Sequence, residues 1–162
     1  WSEPVALDLP ATRGLWVSPR EREVYQAVND FVQANVPPGE AIHCGVARHD
    51  AIVINNPRFH FLVDRRPATR YHELHPGITD RSDVQREMIA DLERRHVRCA
   101  VQWRFGWPPE LLDQILERRV RAIPECGAKL LDDYFATQFE PVFEVGEYVV
   151  LWRRGEPRVD LR

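Results

Sequence analysis

The segment DRRPATRYHELHPG, residues 64–77, is dense in side chains that bind anions and sugar hydroxyls. An arginine guanidinium meets a phosphate or a carboxylate with two parallel N–H donors. Acidic side chains orient such arginines, while hydroxyl and imidazole groups hydrogen-bond sugars. This composition predicts a loop that brackets an anionic or sugar-like ligand. The predicted binding residues are Asp64, Arg65, Arg66, Thr69, Arg70, Tyr71, His72, Glu73 and His75.

Two other interpretations of this segment stay open. Its arginines can form a solvated edge that binds nothing. They can also pair internally, Asp64 with Arg70 for instance, and so stabilise the loop without any ligand.

The HELH sequence within the segment invites a metal-site interpretation. His72 and His75 are three residues apart, and Glu73 or Asp64 could add a carboxylate ligand. That spacing brings two histidines together only on a helix, and this stretch lies between two prolines. In an extended chain His72 and His75 point to opposite sides. We therefore predict no metal site.

The chain carries none of the strong catalytic or nucleotide-binding motifs. The turn after the first predicted buried strand reads CGVARHD, with one glycine where a G-x-G-x-x-G turn needs three. A P-loop, a G-x-S-x-G elbow and an H-E-x-x-H helix are all missing from the sequence. We predict no catalytic residue and no cofactor in this chain.

Composition and charge are those of one ordinary globular domain. The chain has 162 residues and a formal net charge of −3, which excludes the domain-wide positive field of a general nucleic-acid binder. It contains no apolar run of the roughly 20 residues that a membrane-spanning helix needs. Cys44, Cys99 and Cys126 show no C-x-x-C spacing, and we predict buried free thiols.

The first half of the chain must position the 64–77 segment. Ser18 and Pro19 predict the start of a helix that Pro37 stops, and AIHCGVA, residues 41–47, predicts a buried strand. Asn56-Pro57 favours a short helix that Pro67 ends, although a strand would also fit its apolar residues. ATRYHEL, residues 68–74, then predicts a short strand.

The second half alternates helices and strands more regularly. A helix is predicted from Thr79, a strand over RCAVQWR, a helix opened by Pro108-Pro109 and a further helix from Leu130. The C-terminal run breaks at Gly146 into an antiparallel hairpin. This order predicts an α/β fold: a three-layer α/β/α sandwich with a mostly parallel sheet and an antiparallel C-terminal hairpin at one edge.

The predicted domain organisation is a lead-in or linker over residues 1–17 and a single α/β domain over residues 18–162. The lead-in is expected to dock Leu15, Trp16 and Val17 against the body. The WRFGW stretch contains three aromatic residues that are typical either of an exposed interface or of core packing at a strand end: Trp103, Phe105 and Trp107.

Four blocks of the sequence resemble one recurring pattern: RHD at residues 48–50, NNPRFHFLVDRRPATRYHELHPG at 55–77, VQREMIADLERRHVRCAVQW at 84–103 and LLDDYFATQFEPVFEVGEYVVLWRR at 130–154. This pattern is similar to the soluble C-terminal portion of bacterial polytopic membrane proteins related to the protein-mannosyltransferase type of glycosyltransferase. The 64–77 segment is its most specific part.

The resemblance implies a non-catalytic accessory domain of an enzyme that uses lipid-phosphate-linked sugar donors. The family's catalytic acidic residues lie in loops of the membrane part, and no position here matches one. The domain would sit on the extracytoplasmic face of the bacterial cell membrane, as part of an integral membrane protein. Its segment 64–77 would be a binding or docking loop and not a catalytic centre.

The expected partners are the membrane-embedded remainder of the same polypeptide and either a lipid-linked sugar phosphate or a glycan acceptor, with no nucleic acid. Two alternatives stay open. One is a free-standing doubly wound enzyme or sugar-nucleotide-binding domain, which the missing glycine-rich loop disfavours. The other is an interaction module of an envelope complex.

Overall fold

A computed structural model describes residues 3–9, 11–52, 57–104, 108–123 and 125–159. In chain order the elements are β1 (Val5–Ala6), β2 (Trp16–Val17), α1 (Pro19–Asn35), β3 (Ala41–Val46), α2 (Arg58–Leu62), β4 (Arg66–Pro67), α3 (Ser82–Arg94), β5 (Cys99–Trp103), α4 (Pro109–Ala122), α5 (Leu130–Gln138), β6 (Phe139–Val145) and β7 (Tyr148–Arg153). A short 3-10 helix over His49–Ala51 follows β3.

The main sheet has five strands in the order β4-β3-β5-β7-β6. β3 runs parallel to β4 and β5, whereas β7 is antiparallel to both of its neighbours. The predicted α/β fold with a C-terminal antiparallel hairpin at one edge is therefore confirmed. The inner position of β7 makes the sheet a mixed one.

Helices cover both faces of this sheet and complete three layers. On one face Val28 and Val32 of α1 pack with Val101 and Trp152 of the strands. On the other face Met88 of α3 and Leu131 of α5 belong to a second apolar cluster, together with strand residues such as Ala100 and Leu151. β5 confirms the strand predicted over RCAVQWR; it lies centrally between β3 and β7 and is buried from Cys99 to Gln102.

The start of α1 shows why this helix begins where the sequence predicts. The Ser18 hydroxyl accepts the backbone N–H of Glu21 at 3.2 Å, and the Glu21 carboxylate accepts the Ser18 N–H at 3.0 Å. This capping box satisfies two backbone donors that a helix otherwise leaves without partners, and Pro19 fits the first helical turn.

The structure corrects the prediction for residues 56–74. Asn56 lies outside the described residues, and α2 is a five-residue helix that ends at Leu62, before Pro67. Asp64 has a φ of 50°, a left-handed conformation that turns the chain at once back toward β3. The strand therefore forms at Arg66–Pro67, and Ala68 donates its N–H to the Ile42 carbonyl before the chain leaves the sheet.

The N-terminal segment also differs from the prediction. Leu15 and Trp16 are 41% and 66% exposed, so of the three residues expected to dock only Val17 packs against the core. Leu7 and Leu9 are buried instead, because the buried Thr12 hydroxyl donates to the Leu7 carbonyl at 2.7 Å and closes a hairpin over them. The division between residues 17 and 18 stays a prediction.

The three cysteines are free and buried, as predicted. Burial raises the pKa of the Cys99 thiol to about 12 and that of Cys44 well above its ordinary range. Across the described ranges, no helix combines the length and the apolar character that crossing a membrane requires.

Candidate functional site

The 64–77 segment divides into side chains that support the fold and side chains that face solvent. Arg65 belongs to the first group, since it is buried and donates to the carbonyl of Val36 at 2.6 Å and to that of Val63 at 3.0 Å. Its remaining donors bond the Asp64 carbonyl and Gln33 Oε1. Arg65 thus joins the end of α1 to the turn after α2, and its guanidinium donors already have partners within the fold.

The other predicted binding residues are mostly accessible. Thr69 is buried and Tyr71 is partly buried, while the exposed ones are Asp64, Arg66, Arg70, His72, Glu73 and His75. Arg70 pairs with Glu87 at 2.8 Å and not with Asp64, and its guanidinium lies 4.9 Å from the centre of the Tyr71 ring. A ligand role for the exposed side chains stays a prediction.

No three metal-ligating side chains converge within the part of the chain that the structure describes. His75 Nε2 lies 3.3 Å from Glu73 Oε2, so two side chains of the HELH sequence pair with each other.

A cleft with a volume of about 330 Å³ lies at the carboxyl end of β5, outside the predicted loop. It is built by the first turns of α1 and α2, the last residue of β5 and the turn between β6 and β7. The carboxyl ends of parallel strands are where open α/β sheets generally bind ligands. Its lining includes the side chains of Arg20, Tyr25, Arg58, Trp103, Glu147 and Tyr148.

Sheet register and turn geometry fix the walls of this cleft. Trp103 and Tyr148 are partners on β5 and β7, and their rings are nearly parallel with centroids 6.4 Å apart. The Trp103 indole N–H donates to Glu147 Oε2 at 3.0 Å. Gly146 closes the turn with a φ of 58°, and a Cβ there would lie 2.8 Å from Val24 Cγ2. A larger residue at Gly146 would therefore displace the cleft wall.

Charges of both signs line the cleft. Arg20 is exposed and makes no ion pair among the described residues, while the Arg58 guanidinium donates to the Tyr25 hydroxyl. Hydrogen bonds from Ser18 lower the pKa of Glu21, which keeps that carboxylate ionised beside Arg58. Burial raises the pKa of Tyr25, so its hydroxyl stays protonated at neutral pH.

A second polar arrangement lies beneath the opposite face of the sheet. Asp132 of α5 accepts the backbone N–H of His49 at 2.9 Å and contacts His49 Nδ1 at 2.7 Å. His49 Nε2 lies 3.4 Å from His43 Nε2, and the Phe135 ring packs against both imidazoles. Because both histidines are buried, they cannot contact a ligand directly, and we assign this chain of groups to fold stability.

Sequence reasoning missed the cleft because its residues come from four separate segments. One signal was available: Trp103 ends a buried strand that runs toward the edge where ligands bind in α/β folds. Phe105 and Trp107, the other aromatic residues of the WRFGW stretch, lie outside the described residues. Trp103 itself is partly buried against the core, as the core-packing alternative expected.

No protein-family model matches the chain, and no curated protein matches it. Among solved structures, the chain is similar to the C-terminal globular domain of oligosaccharyltransferase from Archaeoglobus fulgidus. The two are 11% identical with a TM-score of 0.45, and the alignment covers 86% of this chain and 100% of that chain.

Proposed function

We propose that the chain is a non-catalytic accessory domain of a membrane glycosyltransferase that uses lipid-phosphate-linked sugar donors. In this role it holds a donor or acceptor group for an active site located in the membrane part, on the extracytoplasmic side. The family resemblance of the sequence suggests the enzyme class. The cleft at the carboxyl end of β5 is the observation that supports the positioning role.

The cleft has the features of a small-ligand site. Such sites are concave and lined by apolar or aromatic groups, with a few polar groups that fix orientation. Here the rings of Tyr25, Trp103 and Tyr148 supply the apolar surface, and Arg20 and Glu147 supply exposed polar groups of opposite charge. A sugar presents the matching combination, with an apolar C–H face and a rim of hydroxyls.

The exposed part of the 64–77 segment supports a second contact in the same proposal. Arg66, Arg70 and His72 face solvent and can meet the membrane-embedded remainder of the polypeptide or a lipid-linked phosphate. Arg65 is excluded from this role, because its guanidinium is buried and bonded to backbone carbonyls.

The test is glycosyl transfer by the full-length membrane protein carrying Arg20→Ala. A charge-assisted contact is worth about 1.5–3 kcal/mol, so transfer should fall about ten-fold or more. Arg22→Ala is the matched control, because Arg22 is also exposed on the first turns of α1 but does not line the cleft. Unchanged transfer by Arg20→Ala, or transfer by the 162-residue chain alone, would refute the proposal.

A further inference from the structure

We infer that the cleft formed by Arg20, Tyr25, Arg58, Trp103, Glu147 and Tyr148 binds a sugar that carries one negative charge. The inference rests on the proposed function and names the ligand class of its site. Two kinds of ligand fit this description: a sugar with one carboxylate and a sugar with one phosphodiester.

The size of the cleft limits the ligand to a small molecule. Ligand pockets in proteins usually measure about 300–1,000 Å³. With a volume of about 330 Å³ this cleft lies at the lower end of that range. It therefore suits one sugar unit with a substituent and not an extended glycan or a folded peptide.

The aromatic wall supplies a surface for the apolar face of the sugar. Tyr25 and Tyr148 are buried in this wall, and Trp103 is partly buried. The bond from the indole N–H to Glu147 and the near-parallel stacking on Tyr148 hold the Trp103 ring in a fixed orientation. Binding to a fixed ring costs little conformational entropy.

The carboxylate of Glu147 supplies acceptors for sugar hydroxyls. It is exposed at the turn between β6 and β7. An ionised carboxylate offers about four lone-pair directions, so the single bond from Trp103 leaves capacity for a bound hydroxyl. Phosphate or sulfate alone would be repelled by this group.

The arginines supply the preference for an acidic group. Arg20 and Arg58 lie in the first turns of α1 and α2, and Arg20 makes no ion pair within the described ranges. The amino end of the long helix α1 adds a partial positive charge on the same side. An acidic substituent bound there would meet forked donors and a favourable field.

The balance of charges limits the ligand to one negative charge. Glu21 lies 3.9 Å from the Arg58 guanidinium and offsets its charge, which leaves Arg20 as the arginine available to an acidic group. A nucleoside diphosphate or another polyanion would meet two carboxylates without enough cations to neutralise it. A neutral sugar would leave Arg20 without its partner. A monoanionic sugar satisfies both groups.

The test is a titration of the 162-residue chain followed by NMR, with the Trp103 indole N–H signal as the probe. The ligands are glucuronate, a methyl glucosyl phosphodiester, glucose and inorganic phosphate. We expect at least one of the two monoanionic sugars to bind ten-fold or more tightly than glucose and than phosphate. Whichever of the two binds more tightly identifies carboxylate or phosphodiester as the source of the charge.

Two variants locate the effect. Arg20→Ala should remove the preference for the acidic sugar while leaving weak glucose binding, and Glu147→Gln should weaken both sugars. Arg22→Ala should change neither. Equal affinity for glucose and both acidic sugars, equal affinity for phosphate alone, or no shift of the Trp103 signal would overturn the inference. If the acidic sugar binds but Arg20→Ala leaves transfer by the full-length protein intact, only the proposed function fails.

Discussion

Nε2 of His43 and Nε2 of His49 lie 3.4 Å apart, and both imidazoles are buried. Asp132 lies 2.7 Å from His49 Nδ1, so a neutral His49 that donates from Nδ1 presents Nε2 as the acceptor for the Nε2–H of His43. One proton therefore joins the two histidines. Protonation of both rings would place two buried cations next to each other. Burial is the main reason that the pKa of His43 lies well below its ordinary value, and the nearby His49 lowers it further.

This arrangement predicts that stability falls in mild acid. Burial also lowers the pKa of His60, to about 4, so both His43 and His60 stay neutral in the fold while the unfolded chain binds protons below about pH 6.5. The unfolded state then binds more protons, and the free energy of unfolding decreases as the pH falls from 6.5 toward 4. Denaturant titrations should show a loss of about 2 kcal/mol or more between pH 7.5 and pH 5.

The carboxylates with lowered pKa values, such as Glu21 and Glu93, stabilise the fold throughout the range from pH 7.5 to pH 5 and lose that contribution only at lower pH, because their unfolded pKa lies near 4.5. His60→Asn should therefore reduce the pH dependence between pH 7.5 and pH 5. A free energy of unfolding that stays constant over that range would contradict the buried neutral histidines.

Gly45→Ala tests the packing of the histidine pair. A Cβ at Gly45 would lie 2.5 Å from His43 Nε2 and 2.8 Å from His49 Nε2, and Phe135 and Asp132 leave the rings little room to move. We expect a loss of about 1–3 kcal/mol in unfolding free energy, as for other overpacked cores. In a His43→Ala background the same change should cost clearly less. Additive losses would show that the rings do not limit the space at Gly45.

Arg65 and Arg70 should behave in opposite ways although they are neighbours in the same segment. Arg65→Ala leaves the buried carbonyl of Val36 without its donor and takes one of two donors from the carbonyl of Val63, which keeps Gln33, so the unfolding free energy should fall by about 2 kcal/mol. Arg70→Ala removes an exposed pair with Glu87 and should leave thermal stability within measurement error. Equal effects on the melting temperature would contradict the assignment of Arg65 to the fold.

Val101→Asp tests the central strand. Val101 is buried between β3 and β7 and belongs to the apolar cluster on the α1 face. An unpaired carboxylate there costs several kcal/mol, comparable to the whole stability of a domain of this size. We expect no soluble protein on expression. Leu111→Asp at the exposed start of α4 is the control and should express normally. Soluble, folded Val101→Asp would place β5 elsewhere in the sheet.

Local signals predicted most of the helices and the C-terminal hairpin. Ser18 with Glu21 marks the start of α1, and Gly146 marks the turn between β6 and β7, because capping and positive φ are properties of a few adjacent residues. The position of β4 was wrong because it depends on which residues reach Ile42 on the neighbouring strand. The exposure of Trp16 was missed for a similar reason, since the hairpin closed by Thr12 decides which apolar residues face the core.

The candidate site was less predictable than the fold. A dense run of charged residues, such as 64–77, is easy to find in a sequence. The sequence does not show which of its arginines donate to backbone carbonyls within the fold and which face a ligand. The cleft combines residue 20, residue 58, residue 103 and the 146–148 turn, which only the sheet order brings together. Pairing of Trp103 with Tyr148 cannot be inferred from either strand alone, because it depends on β7 entering the sheet beside β5.

The inner position of β7 has a consequence for biosynthesis. Among the described residues β7 is the last strand, yet it lies between β5 and β6 and pairs with both. The ribosome must therefore synthesise nearly the whole domain before the sheet can close, and until then the nascent chain exposes the unpaired edge of β5. Truncation after β6 would leave that edge open to pairing with other chains. Insertion of β7 between β5 and β6 is therefore the step that commits the newly made domain to folding.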